Sequence, residues 1–230
     1  SPNHPMTGPR IALIHATPLA IKPVSDVFEQ LWPEAKCKNL LDDSLPSDLQ
    51  AHGMGPPMIE RMVGLASYME KQGAEAILFT CSAFGPAIEA AKNAQNIPVL
   101  KPNEAMFDDA LDLCARLGKP CRIGLLTTFA PSTASMLKEL ETAIELRGLP
   151  ITTEGGCAAG AMEILLAGDV QTHDRMVLQA AMQMPACDVY LIGQFSMAHT
   201  QKQLEQALHK PVLTSPASAI RRLQTALARH

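Results

Sequence analysis

Two short stretches decide the fold: AEAILFT at residues 74–80 and CDVYLIG at residues 187–193. Each is an apolar run of strand length that leads into a helical segment and then into a second short strand, NIPVLKP in the first copy and HKPVLTSP in the second. A pattern that recurs in this way predicts two similar structural units. In the alignment of the two copies, Cys81 corresponds to Gln194.

The beginning of each unit repeats as well. RIALIHATP at residues 10–18 matches RIGLLTTFAP at residues 122–131, so His15 corresponds to Thr127. Short apolar runs alternate with helical patterns along the chain, which predicts parallel sheets with helices on both faces. The predicted strands cover residues 11–15, 37–41, 76–80, 99–100, 122–127, 151–153, 189–193 and 212–213. The predicted helices cover residues 57–72, 85–94, 104–117, 132–146, 158–167, 174–184, 200–208 and 217–228.

These patterns predict an α/β fold of two pseudo-symmetric lobes. We expect the first lobe to contain residues 8–101 together with a returning C-terminal helix at residues 216–230, and the second lobe to contain residues 102–215. Parallel sheets bind ligands at the carboxyl ends of their strands. The corresponding loops of the two lobes are therefore expected to line an active-site cleft between them.

The composition argues against several classes of protein. Apolar residues make up 47% and charged residues 18% of the 230 residues. This composition is typical of a chain that folds around an apolar core, so we do not expect a disordered protein. The net charge is only -4 and no basic run occurs, so we expect no nucleic-acid partner. No stretch approaches the roughly 20 apolar residues of a membrane span. The six cysteines show neither a C-x-x-C pair nor zinc-ligand spacing, so we expect free thiols, a cytoplasmic protein and no metal site.

The motif FTCSAFG at residues 79–85 carries the clearest chemical signal. It places Cys81 between a buried strand and a helix, where the helix dipole would lower the pKa of the thiol. The free amides of the first turn, at Ser82 and Ala83, could bind a carboxylate or enolate oxygen. The alternative is an inert buried cysteine, since free cysteines are often buried.

The equivalent motif in the second lobe is IGQFSMAH at residues 192–199. Gln194, Phe195 and Ser196 lie where a strand ends and a helix begins, so their amides and the serine hydroxyl could bind a second carboxylate oxygen. The alternative is an ordinary strand-to-helix turn in which Ser196 is the N-cap.

Residues at the ends of the first strand of each lobe complete the predicted site. His15 could exchange protons near neutral pH, or it could only cap its own loop. In the second lobe Thr127, Thr128 and Phe129 could supply hydroxyls and one wall of the pocket, although threonines commonly end strands. Cys157, in a predicted glycine turn before a helix, is a weaker thiol candidate.

The motifs around residues 10–18, 79–85, 122–129 and 192–199 resemble those of the aspartate/glutamate/hydantoin racemase superfamily. The resemblance implies two flavodoxin-like lobes and proton transfer next to a carboxylate without metal, pyridoxal phosphate or nucleotide. Members typically carry one cysteine in each lobe, so that one thiolate removes a proton and the other thiol returns one. Here FTCSAFG fits the first cysteine motif, whereas Gln194 stands where the second cysteine is expected.

This departure favours isomerase, decarboxylase or lyase chemistry by Cys81 over two-base racemisation. Single-cysteine relatives resemble the arylmalonate decarboxylases, although their thiol lies in the second lobe. The superfamily that this chain resembles also includes maleate isomerases. Two alternatives stay open: an amino-acid or hydantoin racemase with His15 as second base, and a non-catalytic module that binds small carboxylates. We expect a small carboxylate substrate and no cofactor, and the sequence leaves homo-oligomer formation open.

Overall fold

The structure, a computed structural model, describes residues 8–228 and contains two four-stranded sheets. The strands are β1 (Arg10–His15), β2 (Lys36–Leu41), β3 (Ala76–Phe79), β4 (Val99–Leu100), β5 (Cys121–Thr127), β6 (Ile151–Cys157), β7 (Val189–Ile192) and β8 (Val212–Thr214). The helices are α1 (Ile21–Leu31), α2 (Leu45–His52), α3 (Pro56–Lys71), α4 (Gly85–Ala94), α5 (Glu104–Leu117), α6 (Ala130–Arg147), α7 (Ala161–Leu166), α8 (Val170–Gln183), α9 (Gln201–Leu208) and α10 (Ser215–Ala228). Short 3₁₀ turns at Pro18–Ala20, Ser82–Phe84 and Phe195–Thr200 precede α1, α4 and α9.

The first sheet has the strand order β2-β1-β3-β4, and each neighbouring pair is parallel. All four residues of β3 and the last five of β1 are buried. Strands that helices cover on both faces read as continuous apolar runs, which explains IALI and AILF in the sequence. Helix α3 contributes one buried stripe to this core, formed by Met58, Met62, Ala66 and Met69.

The second sheet repeats this arrangement with the order β6-β5-β7-β8, again entirely parallel. Its central strands β5 and β7 are buried except at Arg122, and helix α6 packs Met136, Leu140 and Ile144 into the same core. The predicted α/β fold with two parallel sheets is confirmed.

Strand β6 corrects one expectation. The double glycine predicts a turn after residue 153, but the strand continues through Gly155 and Gly156 to Cys157. A Cβ atom at Gly155 would lie 2.8 Å from Leu137 Cδ1, and one at Gly156 would lie 2.6 Å from Met184 Sδ. The glycines therefore allow side chains to pack closely on both faces of this strand. In the sequence alone, the same pair of glycines resembles a turn.

Helix α8 corrects a second expectation, because it begins at Val170 rather than at residue 174. Asp169 is its N-cap and accepts a hydrogen bond from the Thr172 backbone amide at 3.1 Å. His173 therefore lies inside the helix and is completely buried, whereas the predicted bounds place it just before the helix. Helices α1 and α2 are additions to the predicted elements.

The chain divides into two compact units. Unit 1 contains the described residues up to Ala105 and those from Ala219 onward, and unit 2 is Met106–Ser218. The boundaries fall within α5 and α10, a few residues beyond the predicted positions. Residues 229 and 230 of the predicted returning helix lie outside the described residues. Among the described helices, none is both long enough and apolar enough to cross a membrane.

Two of the six cysteines form a disulfide, so the prediction that all are free thiols is wrong. Cys114 at the end of α5 is bonded to Cys121 at the start of β5, with a Cα–Cα distance of 5.9 Å. The intervening turn passes through Gly118 in a left-handed conformation (φ 65°), which returns the chain and brings the two thiols together. The free cysteines are Cys37, Cys81, Cys157 and Cys187.

Candidate active site

Cys81 lies two residues beyond β3 and is the N-cap of the 3₁₀ turn that precedes α4. The backbone amide of Thr80 donates to the Ile14 carbonyl at 3.0 Å, which extends the pairing of β3 with β1 up to the residue before the cysteine. The residue is half-buried, and its thiol packs against the apolar core of unit 1. Strand pairing on one side and the turn on the other thus fix the backbone at Cys81.

The burial of this thiol reverses the expected direction of its pKa shift. Burial raises the pKa of Cys81 to about 12, and a hydrogen bond to the backbone offsets only part of that rise. The prediction of a lowered pKa rested on the helix dipole. Loss of hydration outweighs the dipole here, and the turn that follows is a three-residue 3₁₀ segment rather than a full α-helical turn. Cys81 is therefore a protonated thiol near neutral pH.

His15 is completely buried at the end of β1, and both of its ring nitrogens have partners. Nδ1 lies 2.7 Å from Thr80 Oγ1, and Nε2 lies 2.7 Å from Asn39 Oδ1. Burial lowers the pKa of His15 below its usual value, against the raising effect of the hydrogen bond to Asn39. The imidazole is therefore neutral near pH 7 and connects the ends of β1, β2 and the segment that leads to Cys81.

Gln194 occupies the position in unit 2 that Cys81 occupies in unit 1. The amide of Gly193 donates to the Leu126 carbonyl at 2.9 Å, as Thr80 does to Ile14 in the other sheet, and the next residue is again the N-cap of a 3₁₀ turn. The shared hydrogen-bonding position supports the alignment of the two copies made from the sequence.

The side chain of Gln194 is held by Thr128. Its Oε1 accepts hydrogen bonds from the Thr128 backbone amide at 2.5 Å and from Thr128 Oγ1 at 2.8 Å. Because a backbone amide can only donate, the facing atom must be the carbonyl oxygen, which fixes the orientation of the amide group. Nε2 forms no hydrogen bond to any described residue. Gln194 therefore presents an oriented pair of N–H donors.

The remaining candidates in unit 2 differ in their accessibility. Thr127 is completely buried and its hydroxyl bonds to Thr133 and to the Phe129 carbonyl, so it stabilises its own loop. Phe129 is 52% exposed and is the N-cap of α6. Phe195 is buried, and Ser196 is half-buried inside the 3₁₀ turn, so it is not the N-cap of that turn.

The equivalent residues of unit 1 lie in the turn after Cys81. Ser82 is half-buried and Ala83 is exposed. The Ser82 hydroxyl forms no hydrogen bond within the described residues, so it is available to a ligand.

Comparison with known proteins places the chain in a family. The family model for Asp/Glu/Hydantoin racemase matches residues 50–223. The chain belongs to this family. It is therefore an enzyme of the racemase and isomerase superfamily, as the sequence motifs indicated. Comparison with curated protein sequences gives no significant match.

Solved structures of family members share the fold at low sequence identity. A glutamate racemase from Bacillus anthracis superposes with a TM-score of 0.68 at 16% identity, covering 96% of this chain and 82% of that one. An allantoin racemase from Klebsiella pneumoniae gives a TM-score of 0.68 at 15% identity, covering 96% and 89%. An arylmalonate decarboxylase gives a TM-score of 0.61 at 19% identity, covering 95% and 92%. At these identities the likeness concerns the fold alone.

Two further features of unit 2 are the second thiol candidate, Cys157, and a histidine cluster that the sequence did not reveal. Cys157 ends β6 and pairs with Thr127 on β5, so this half-buried thiol lies at the same sheet edge and not in a glycine turn. His173, Asp174 and His199 form a cluster whose ligating atoms lie within 4.8 Å of one another. The sequence concealed this cluster because His199 follows Asp174 by 25 residues, on a different element.

Proposed function

We propose that this family member catalyses cofactor-independent proton transfer to a carbon next to a carboxylate, with Cys81 as the proton donor. The proposal extends family membership to a mechanism with a single thiol. One observation carries it: the position equivalent to Cys81 holds Gln194, whose side chain is fixed by Thr128 as a hydrogen-bond donor.

Two-base racemisation requires two groups that exchange protons. An amide does not do so at neutral pH, so Gln194 cannot replace a second thiol. His15 is poorly placed for that role, because both ring nitrogens are already hydrogen-bonded and burial lowers its pKa. These contacts favour decarboxylase, isomerase or lyase chemistry, and they make His15 a positioning residue for the segment that leads to Cys81.

A protonated thiol suits decarboxylation best among these reactions. When a malonate loses CO₂, the electron pair of the broken C–C bond stays on the remaining fragment as an enediolate. Cys81 then gives its proton to the α-carbon, and the resulting thiolate regains a proton from water. No base is needed to create the carbanion, which agrees with a thiol whose pKa burial raises to about 12.

The enediolate needs hydrogen-bond donors at its oxygens, because stabilisation of developing charge is commonly the largest contribution to catalysis. We assign this role to Gln194 Nε2 and to the hydroxyls of Ser82 and Ser196. Thr128 acts through Gln194, since its amide and hydroxyl hold Oε1. Ala83, Phe129 and Phe195 are the remaining candidates for substrate binding. They would act through their backbone amides or as an apolar wall of the site.

The experiment is a screen in D₂O of disubstituted malonates, maleate, hydantoins and acidic amino acids. We expect CO₂ release from a malonate with one deuterium at the α-carbon of the product. Cys81→Ala should lower the rate about 100- to 10,000-fold, the usual contribution of a positioned proton donor. Cys37→Ala is the matched control, because Cys37 is a half-buried free thiol of the same unit on β2.

Three results would contradict the proposal. Activity retained by Cys81→Ala would remove the thiol from the mechanism. Deuterium exchange into both enantiomers of an amino acid would favour the racemase alternative. Binding of these acids without turnover of any would favour the non-catalytic module.

A further inference from the structure

His173, Asp174 and His199 converge on one point in unit 2. His173 and Asp174 belong to α8, and His199 belongs to the 3₁₀ turn Phe195–Thr200. His173 Nδ1 lies 2.8 Å and His199 Nε2 lies 2.7 Å from the same carboxylate atom, Asp174 Oδ1. Since an ionised carboxylate only accepts hydrogen bonds, each imidazole must donate an N–H to it.

His173 has a second feature that hydrogen bonding within the protein does not explain. Its side chain is completely buried, and Nε2 has no partner among the described residues. His15 is equally buried, but both of its nitrogens are bonded. A buried polar atom without a partner is costly, and an ion bound through Nδ1 would leave Nε2 without a partner as well, so the case for a metal rests on the three converging ligand atoms.

We propose that His173, Asp174 and His199 form a three-ligand site for a divalent transition-metal ion of the zinc class. Two imidazoles and one carboxylate match the donors that zinc prefers, whereas magnesium and calcium prefer oxygen ligands alone. A carboxylate placed between two imidazole ligands favours a cation. The site is independent of the proposed function, because it includes neither Cys81 nor Gln194.

One ligating atom from each of the three residues lies within 4.8 Å of the others, so binding an ion requires them to reach coordination distances. Zinc–ligand bonds of about 2.0–2.1 Å in a tetrahedral site place ligand atoms roughly 3.3–3.4 Å apart. The two nitrogens therefore have to withdraw from Asp174 Oδ1 by about 0.6 Å each. The His199 side chain is 44% exposed and can move, and it also leaves the ion accessible from solvent.

Coordination changes the tautomers of the two histidines. The ion takes the lone pairs of His173 Nδ1 and His199 Nε2, so the ring protons reside on the opposite nitrogens. The metal thus replaces the two hydrogen bonds to Asp174 as the connection between α8 and the turn that follows Gln194. We expect the ion to stabilise unit 2 without taking part in proton transfer.

Titration of the chelator-treated full-length protein with ZnCl₂, followed by calorimetry, tests the site. We expect one equivalent bound by wild type, and at least about a 100-fold loss of affinity in His199→Gln and in Asp174→Asn, since second-shell changes alone cost 10- to 100-fold. His199→Gln is the primary variant because its exposed side chain carries little risk to folding. His52→Gln is the matched control, an exposed histidine at the end of α2.

CoCl₂ serves as a spectroscopic probe of the ligand type, and MgCl₂ as a control for charge alone. Cobalt should give visible d–d bands without the intense charge-transfer band that thiolate ligands produce. At a concentration 100 times Kd, zinc should raise Tm by roughly 5–10 °C. The proposal is overturned if wild type binds no zinc, if His199→Gln and Asp174→Asn bind it unchanged, or if the cobalt spectrum shows thiolate ligation.

Discussion

Iodoacetamide should alkylate Cys81 far more slowly than an ordinary exposed thiol. Only thiolate reacts, and at pH 8 a thiol with the ordinary pKa of 9.0 is about 9% ionised, whereas one with a pKa of about 12 is about 0.01% ionised. The reacting fraction is thus roughly 1000-fold smaller. A more basic thiolate is also a better nucleophile, and a Brønsted slope of about 0.4–0.5 returns a factor of roughly 16–32. The net expectation is a rate about 30- to 60-fold lower, before any steric protection.

Cys37 provides an internal comparison, because burial raises the pKa of its thiol to about 11. The same arithmetic makes Cys37 about 3- to 4-fold more reactive than Cys81. The assay is quantitative mass spectrometry of the tryptic peptides at several labelling times, with the urea-unfolded protein as the reference in which all thiols react alike. If Cys81 in the folded protein reacts as fast as in the unfolded reference, the thiol is not held in its protonated form, and the argument for a proton donor fails.

Three substitutions test other contacts. Gln194→Glu keeps an acceptor for the two Thr128 hydrogen bonds but replaces the N–H donor by a negative charge. Tm should therefore change little, while KM for a carboxylate substrate should rise about 10- to 100-fold. An unchanged KM would show that the amide does not face substrate. His15→Asn should lower Tm at pH 7. It should also weaken the fall of the unfolding free energy below about pH 6.5, because there the unfolded but not the buried histidine takes up a proton. A change in the shape of the pH–rate profile would instead support a role in proton exchange. Gly156→Ala should cost about 1–3 kcal/mol, because the new Cβ would lie 2.6 Å from Met184 Sδ. Its control, Gly64→Ala, has open space inside α3 and should stabilise by up to about 1 kcal/mol, and equal effects of the two would contradict the packing argument.

The two parallel sheets and the equivalent positions of Cys81 and Gln194 could be predicted from the sequence. The strand-and-helix alternation predicted both sheets, and the repeat placed Cys81 and Gln194 at equivalent positions, which the matching hydrogen bonds of Thr80 and Gly193 support. These features depend on residues that are neighbours in the chain or copies of one another, so a single sequence contains the information.

Features set by tertiary surroundings could not be read in this way. The raised pKa of Cys81 depends on the core that buries its thiol, and no neighbouring residue reports that burial. Gly155 and Gly156 resemble a turn until the helices that crowd β6 are known. The cluster around Asp174 needs the turn that carries His199 to pack beside α8, a contact between separate elements.

The two sheets combine a symmetric scaffold with unequal chemistry. Their strand orders are the same, and each has an N-cap residue at the same hydrogen-bonding position after its third strand. A two-base racemase would need proton-exchanging groups at both positions. In place of a thiol, unit 2 uses the Thr128 amide and hydroxyl to fix the orientation of a glutamine. Under the proposed function the two lobes therefore have different roles: the Cys81 thiol supplies a proton, and the oriented amide of Gln194 donates hydrogen bonds.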